Sequence, residues 1–350
     1  MNSIFPIIKI LSLTFISFIV AFFLTPFLTS LLYKYRLGKQ IRKSDKTPVF
    51  SSLHKSKEGT PTMGGILVWG VVVIVGVVIW FLGSVLEIEA FGKLNFFSRS
   101  QTLLPFFSLV VAALLGLFDD LLGVMKIGPH GGGLQMRHKI FLYTIIATVG
   151  AFWFYYKLQW DFFHVPFLGN YYVGIWYIPI FIFIIVATSF STNETDGLDG
   201  LAGGILLISY GSFAVIAFAE GKYDLATFCG VIAGALLSFL WFNIYPARFF
   251  MGDTGSMSLG VTLGIIAMLT NAGLFLPFIA FIMVVESISV IIQLLSKKFF
   301  GRKLFRSTPI HHHFEAIGWL ETKVTMRFWI IGGVMAYLGI VLFFIDKFYF

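Results

Sequence analysis

The sequence predicts an all-α polytopic membrane protein of about ten transmembrane helices, with both termini periplasmic and its unusual polar motifs on cytoplasmic loops. Three observations lead there. Hydrophobic residues are 58% of the 350 and charged residues only 12%, about half the charge of an ordinary soluble domain, and the mean hydropathy is +0.89. The apolar residues fall into ten runs, several of them close to the roughly 20 residues that cross a bilayer as a helix. Basic residues gather in alternate connections between those runs, the pattern of the positive-inside rule.

The first run, Ile4 to Leu32, is too long for a secretory signal and lacks its basic start. It reads as a first spanning helix with its N-terminus outside. Runs at about 63–83, 102–118, 140–156, 174–192, 200–219, 225–242, 257–270, 274–295 and 326–345 follow. An even number of spans returns both termini to the same side. The loop after the first run carries Lys34, Arg36, Lys39, Arg42, Lys43, Lys46, Lys55 and Lys57; that after the third has Lys126, Arg137 and Lys139. The loop after the ninth has Lys297, Lys298, Arg302, Lys303, Arg306 and Lys323. Loops after even-numbered runs hold little beyond Lys93, Arg99, Lys157 and Lys222. Odd-numbered connections are therefore assigned to the cytoplasm.

The net charge of +8 is a topology signal first, and second an attraction for anionic headgroups or a phosphorylated substrate. No basic groove interleaved with aromatics is present, so nucleic acid is not expected as a partner. The single cysteine, Cys229, excludes an intramolecular disulfide. No internal repeat or long low-complexity linker divides the chain, so residues 1–350 are expected to form one integral membrane domain.

Five polar clusters each follow an odd-numbered run: His54 to Gly65, Asp119-Asp120, Thr192 to Gly200, Asn243 to Ser258, and Thr308 to Glu315. Their coincidence on one face points to a single composite site. Asp253 lies in a tight turn between Gly252 and Thr254-Gly255, open either to a small hard cation or to an ordinary turn role. Asp119-Asp120 is expected to end the third span, where adjacent carboxylates repel and oppose the helix dipole unless something positive binds. Neighbouring helical positions are about 100° apart, so the two should divide their labour. Mg²⁺ suits such a set, because it takes one or two carboxylates and completes its shell with waters and phosphates.

Asp196 and Asp199 are spaced to share a helical face, although Asp196-Gly197 also suits a turn. Asn193 offers a donor and an acceptor to the edge of a base or sugar. His311, His312 and His313 lack the partners of a zinc site and fit phosphate binding or proton handling, or a plain surface loop. Lys57, Lys126 and Lys139 are either topology signals or phosphate contacts. Thr60 to Gly65 opens the second span as a helix start or a close phosphate contact. Glu286, inside the ninth span, is expected to face the bundle interior, away from the cytoplasmic cluster, as packing. No P-loop or dinucleotide fingerprint is present, which argues against an ATP-driven pump.

These motifs, HxxKxGTPTMGG from His54, the DD pair, NxTDGLDGLA, FNxYPAxxFMGDTGS and PIHHHFE, resemble the phospho-N-acetylmuramoyl-pentapeptide transferase family of polyprenyl-phosphate N-acetylhexosamine-1-phosphate transferases. The likeness spans about residues 34 to 330, with the motifs in family order. It implies a ten-helix, homodimeric enzyme of the bacterial inner membrane whose active site is formed by cytoplasmic loops. Such an enzyme would transfer phospho-MurNAc-pentapeptide from UDP-MurNAc-pentapeptide to undecaprenyl phosphate within the membrane lipid, giving lipid I and UMP with Mg²⁺. The resemblance makes Asp119, Asp120 and Asp253 the essential acids and metal candidates, Asp253 foremost, with Asp119 acting on the lipid phosphate. It assigns His311, His312 and His313 to the catalytic histidine loop, and Lys57 and Lys139 to the diphosphate. Thr60 and Thr62 fall within its phosphate-contact stretch. Asn193, Asp196, Asp199, Asn243 and Phe250 match its nucleoside pocket, with Phe250 against uracil.

Gly123 stands where many members have lysine, leaving Lys126 as the nearest replacement, and Glu194 and Ser191-Thr192 replace common apolar residues. Two other classes are weighed against this. A sister transferase using UDP-N-acetylglucosamine is disfavoured by TPTMGG and PIHHHFE. A transporter would place its acids near the bilayer midplane.

Overall fold

The computed structural model describes residues 4–38, 57, 59–98, 100–128 and 132–349. His54, Ser56 and Glu58 of the first motif lie outside them, as do Lys39, Arg42, Lys43, Lys46, Lys55, Arg99 and Gly131. Among the described residues, nine helices are long and apolar enough to cross a membrane, and a bent pair makes a tenth span. The chain is a multi-pass, mainly helical membrane protein.

In chain order the elements are α1 (Ile4–Lys34), α2 (Gly65–Trp80), the short α3 (Glu89–Leu94), α4 (Leu103–Val124) and α5 (Met136–Phe152). A hairpin of β1 (Phe162–Val165) and β2 (Gly169–Tyr172) follows, antiparallel with Phe162 opposite Tyr172. Then come α6 (Tyr177–Thr195), α7 (Leu201–Ala219), α8 (Tyr223–Asn243), α9 (Gly252–Leu269), the short α10 (Leu276–Ile279), α11 (Phe281–Phe300), α12 (Ile310–Ala316) and α13 (Glu321–Tyr349).

Helix α9 is the axis of the bundle. Every one of its residues except Asp253 is buried. Lipid offers no hydrophobic drive for helix pairing, so close backbone packing at small residues supplies the attraction. Gly116 of α4 lies against the first turn of α9, where a Cβ would stand 2.7 Å from the Thr254 Cα. On another side Gly260 faces α6, where a Cβ would stand 2.8 Å from the Ser189 Cα. Of the buried hydroxyls along α9, Ser258 donates within the helix to the Thr254 carbonyl at 2.6 Å and Thr262 to that of Ser258 at 2.7 Å, while Thr254 donates across to the Ala113 carbonyl of α4 at 2.8 Å.

The ninth span is bent, where the apolar run predicts a continuous helix. Residues Gly273–Ile279 and Phe281–Phe300 meet at 89°, with Ala280 leaving helical geometry at φ −106° and ψ 35°. Helix α11 is polar on the inside: Glu286, Ser287, Ser289 and Gln293 are buried, while Ile288, Ile291, Leu294 and Leu295 are exposed. That arrangement suits a helix with lipid outside and polar partners within. At the opposite end from α12, Asp346 of α13 meets His164 of the hairpin at 2.5 Å, and Lys9 of α1 meets Asp224 of α8 at 2.8 Å.

Candidate active site at one end of the bundle

Asp253 does not sit in a loop; it is the second residue of α9. Gly252 turns the chain into that helix at φ +73°, a conformation natural to glycine, and a Cβ there would stand 2.6 Å from the Asp120 carboxylate. The Asp119-Asp120 pair likewise lies inside α4, which continues to Val124 instead of ending at the pair. Its two members face different neighbours. Asp120 turns to the start of α9, where its Oδ2 accepts the Thr254 N–H at 3.0 Å and its Oδ1 accepts the Thr62 hydroxyl at 3.3 Å. A carboxylate at a helix N-terminus is favoured, which offsets its awkward place near the end of its own helix.

Asp119 turns the other way. Its Oδ2 is 2.8 Å from the Lys139 ammonium, which also meets Asp253 Oδ1 at 2.7 Å, and its Oδ1 accepts the Leu134 N–H. Asn193, in the last turn of α6, donates to the same Asp253 oxygen at 2.5 Å and to the Ser256 hydroxyl at 3.0 Å. Lys139 belongs to the first turn of α5 and is buried. Of the two acids around it, Asp253 is the accessible one, with its side chain 21% exposed against 2% for Asp119.

The first motif is bound to the fourth through the backbone. Phe250 donates to the Pro61 carbonyl, Gly64 to that of Phe250 and Gly65 to that of Met251, each at 2.8 Å. Thr60, half-buried, donates its N–H to the Lys57 carbonyl at 3.2 Å. Lys57 reaches Asp199 at 2.7 Å and also Glu321, and its ammonium is 5.8 Å from the centre of the Phe250 ring. Asp199 further accepts the Ala247 N–H at 3.0 Å. Asn243 is buried and braces the surrounding loops, accepting from the Gly200 N–H at 3.0 Å and donating to the Phe249 carbonyl at 2.8 Å.

Helix α6 ends at Thr195, so Asp196 and Asp199 lie in the turn that follows and do not share a helical face. Glu321 went unnoticed in the sequence. It heads an apolar run, which is where a helix-start acid is unremarkable, and only the fold brings it to Lys57.

The three histidines divide. His311 is fully buried, with its Nδ1 3.0 Å from Glu286 Oε2, and its ring fills the space where Gly197 has no side chain. His312 pairs with Glu315 of its own helix at 2.7 Å. His313 accepts the Arg306 N–H at 3.2 Å and its ring meets Phe305. Glu286, expected to lie apart from the cluster, is joined to it through His311. Lys126 is exposed beyond the end of α4, and a Cβ on Gly123 would meet nothing within 4 Å.

The centre therefore holds two carboxylates, Asp119 and Asp253, on one ammonium, with Asp120 behind them at the start of α9, an excess of negative charge next to an accessible oxygen ligand. No group of three His, Cys, Asp or Glu side chains forms a ready metal cage among the described residues. A site of two carboxylates with an open side fits Mg²⁺, which draws its remaining ligands from water and phosphate. Lys139, already bridging Asp119 and Asp253, marks where positive charge is stabilised.

Fold and site together define a polytopic membrane protein equipped to handle a phosphorylated ligand at one end of its bundle. The family model for Glycosyl transferase family 4 matches residues 102–271, the part that carries Asp119, Lys139, Asn193 and Asp253. A phospho-N-acetylmuramoyl-pentapeptide-transferase of Clostridium novyi (strain NT) is 38% identical over 326 residues, covering 93% of this chain and 94% of that protein. Proteins of the same name from Chloroflexus aggregans and Geobacillus sp. (strain WCH70) are 38% and 37% identical over 320 and 330 residues. They cover 88% and 93% of this chain, and 82% and 95% of their own lengths. The chain belongs to the phospho-N-acetylmuramoyl-pentapeptide-transferase family.

Proposed function

We propose that this chain transfers phospho-MurNAc-pentapeptide from UDP-MurNAc-pentapeptide to undecaprenyl phosphate, giving lipid I and UMP, the first membrane step of peptidoglycan synthesis. The observation that carries the reading is the convergence of Asp119 and the accessible Asp253 on Lys139, in a chain akin over nine-tenths of its length to proteins of that name. The acids gather at one end of the bundle with the loops, whereas a transporter holds its substrate near the midplane. The basic loops at that end support a site facing the cytoplasm of a bacterial inner membrane, where a nucleotide-linked donor is soluble and the acceptor's tail stays in lipid.

Asp253 and Asp119 would hold Mg²⁺, which when bound would supply neutralisation of the diphosphate and of the charge that develops on departing UMP. Lys139 keeps the two carboxylates converged and offers its ammonium to a phosphate oxygen. Asn193 fixes the Asp253 side chain so that its free edge faces the opening. Asp119, the more enclosed acid, orients the acceptor phosphate for in-line attack on the donor's β-phosphorus, and the bond from that phosphorus to the UMP oxygen breaks. Phe250, beside Lys57, offers a ring face to uracil, and the turn of Asp196 and Asp199 borders the nucleoside.

The test is UMP release by detergent-purified protein given UDP-MurNAc-pentapeptide, undecaprenyl phosphate and Mg²⁺. Metal-dependent lipid I formation is expected, reduced at least a hundredfold in Asp253→Ala. Consumption of UDP-N-acetylglucosamine in place of the muramoyl donor would transfer the assignment to a sister activity. Inertness toward both donors in folded protein would end the transferase reading.

A further inference from the structure

Three side chains on one stripe of α13 meet the turn that leads into α7. Glu321, Thr325 and Trp329 follow one another at four-residue steps, the spacing that stacks side chains on one helix face. Glu321 Oε1 accepts the Asp199 N–H at 2.7 Å, the Thr325 hydroxyl donates to the Asp199 carbonyl at 3.3 Å, and the Trp329 indole N–H donates to the Gly200 carbonyl at 3.1 Å. The indole fits there because residue 204 has no side chain: a Cβ on Gly204 would overlap the Trp329 nitrogen. The Asp199 carboxylate meanwhile takes Lys57 at 2.7 Å on one oxygen and the Ala247 N–H at 3.0 Å on the other. All four polar atoms of Asp199 are thus engaged, the two of its backbone by α13.

Glu321 does more than begin its own helix. The oxygen that accepts the Asp199 N–H also accepts the Lys57 ammonium. One atom therefore fastens the segment ahead of α2 to the turn ahead of α7. The same ammonium lies 5.8 Å from the centre of the Phe250 ring, so its placement bears on the ring as well. Two carboxylates on one ammonium leave the cluster net negative, and negative charge repels an anionic donor. Whatever Glu321 contributes to donor binding must then come from geometry, against its own charge.

We infer that Glu321 is a positioning residue: from the start of α13 it holds Lys57 and the Asp199 turn together in the arrangement that receives the nucleotide end of the donor, with Thr325 and Trp329 as its supports. This rests on the donor and the reaction proposed above, and it deepens them by giving a function to an acid that otherwise only starts a helix. Because geometry and charge act in opposite directions, three substitutions separate them. Glu321→Ala removes both the shared acceptor and the charge. Glu321→Gln removes the charge and keeps an acceptor oxygen. Glu321→Asp keeps the charge and withdraws it by one methylene. Positioning raises the donor KM about tenfold in Glu321→Ala and Glu321→Asp, the loss of one hydrogen bond to a charged group, and leaves Glu321→Gln within about threefold of wild type. Charge alone lowers the donor KM in Glu321→Ala and Glu321→Gln alike and leaves Glu321→Asp unchanged.

The experiment measures kcat, both KM values and the inhibition constant of UMP in detergent, for wild type, the three Glu321 variants, Lys57→Ala, and Lys57→Ala combined with Glu321→Ala. The donor KM and the UMP constant are expected to rise together in Glu321→Ala and Glu321→Asp and to recover in Glu321→Gln. The KM for undecaprenyl phosphate stays within about twofold throughout. A general folding defect lowers the active fraction, and so kcat, and leaves both KM values where they were. The rise in the double variant should fall short of the product of the two single effects; a full product would show that Glu321 does not act with Lys57. An unchanged donor KM in Glu321→Ala, or one raised equally in Glu321→Gln, overturns the proposal. If Glu321→Ala does not fold, Glu321→Asp against Glu321→Gln decides: a higher donor KM in the shorter acid upholds the inference and equal values sink it. An inactive wild-type protein under the same conditions would count against the transfer reaction itself, which keeps the two failures apart.

Discussion

Between Asp119 and Asp120 the helix turns by about 100°, and that rotation sends Asp120 to the start of α9 and Asp119 to Lys139. Asp120 caps α9 from outside, accepting the Thr254 N–H; Asp253, 21% exposed, reaches the opening. Loss of a helix cap costs about 0.5–2 kcal/mol. Asp120→Asn should therefore lower the thermal unfolding midpoint in detergent, while Asp253→Asn lowers it less and abolishes turnover. The reverse ranking, a stable and inactive Asp120→Asn beside a destabilised Asp253→Asn, would exchange the roles of the two acids. At this scale the sequence was informative where a residue is odd in its local setting: paired carboxylates and a glycine-flanked aspartate stand out. Glu321 and Glu286 do not, because an acid at a helix start or a lone acid in a span has an ordinary local explanation. Their partners, Lys57 and His311, are distant in the chain.

At the scale of elements, the placement of Asp253 depends on how closely α4 and α9 approach. Gly116 and Gly123 lie on the same helix and test this. A Cβ on Gly116 would press on the backbone of Asp253 and Thr254, whereas one on Gly123 meets nothing. Gly116→Ala is expected to destabilise by about 1–3 kcal/mol, the usual cost of overpacking, and to reduce transfer by displacing Asp253. Gly123→Ala should be neutral or stabilise by up to about 1 kcal/mol through helix propensity. Thermal unfolding of both variants, with activity measured alongside, checks the pair; equal effects would mean that the α4–α9 contact is not what sets the site.

The same elements show what hydropathy could and could not reveal. It located all ten spans, because a helix needs about 20 mostly apolar residues to cross the bilayer, whether it faces lipid or, like α9, is enclosed by other helices. It missed the 89° bend, since composition carries no direction and Ala280 is an unremarkable residue. It also began α9 at 257 instead of Gly252: the Gly-Asp-Thr-Gly start has low intrinsic helix propensity and is held helical by Asp120, a contact from another helix. The β1–β2 hairpin was missed as well, being a short polar-aromatic connection of eleven residues between Phe162 and Tyr172.

For the whole molecule, the question is which face of the membrane the site occupies. A UDP-linked donor is highly charged and does not cross lipid, while the acceptor brings only a phosphate to the surface on a tail that remains in the bilayer. The two can meet only at a site open to the compartment that makes nucleotides, so the reaction demands that the Asp253 end face the cytoplasm. The positive-inside pattern makes the same demand independently, from charge alone. Cys229 is the only cysteine and is buried, so a Cys229→Ser background is clean for labelling. Lys303, in the basic loop beside α12, and Tyr172, in the hairpin at the far end, are both exposed. A membrane-impermeant maleimide added to intact spheroplasts should modify Tyr172→Cys and leave Lys303→Cys untouched, and inverted vesicles should give the opposite result. Labelling of Lys303→Cys from outside would put the acids on the face without nucleotides. Orientation and the proposed donor would then be incompatible, and one of them would have to be abandoned.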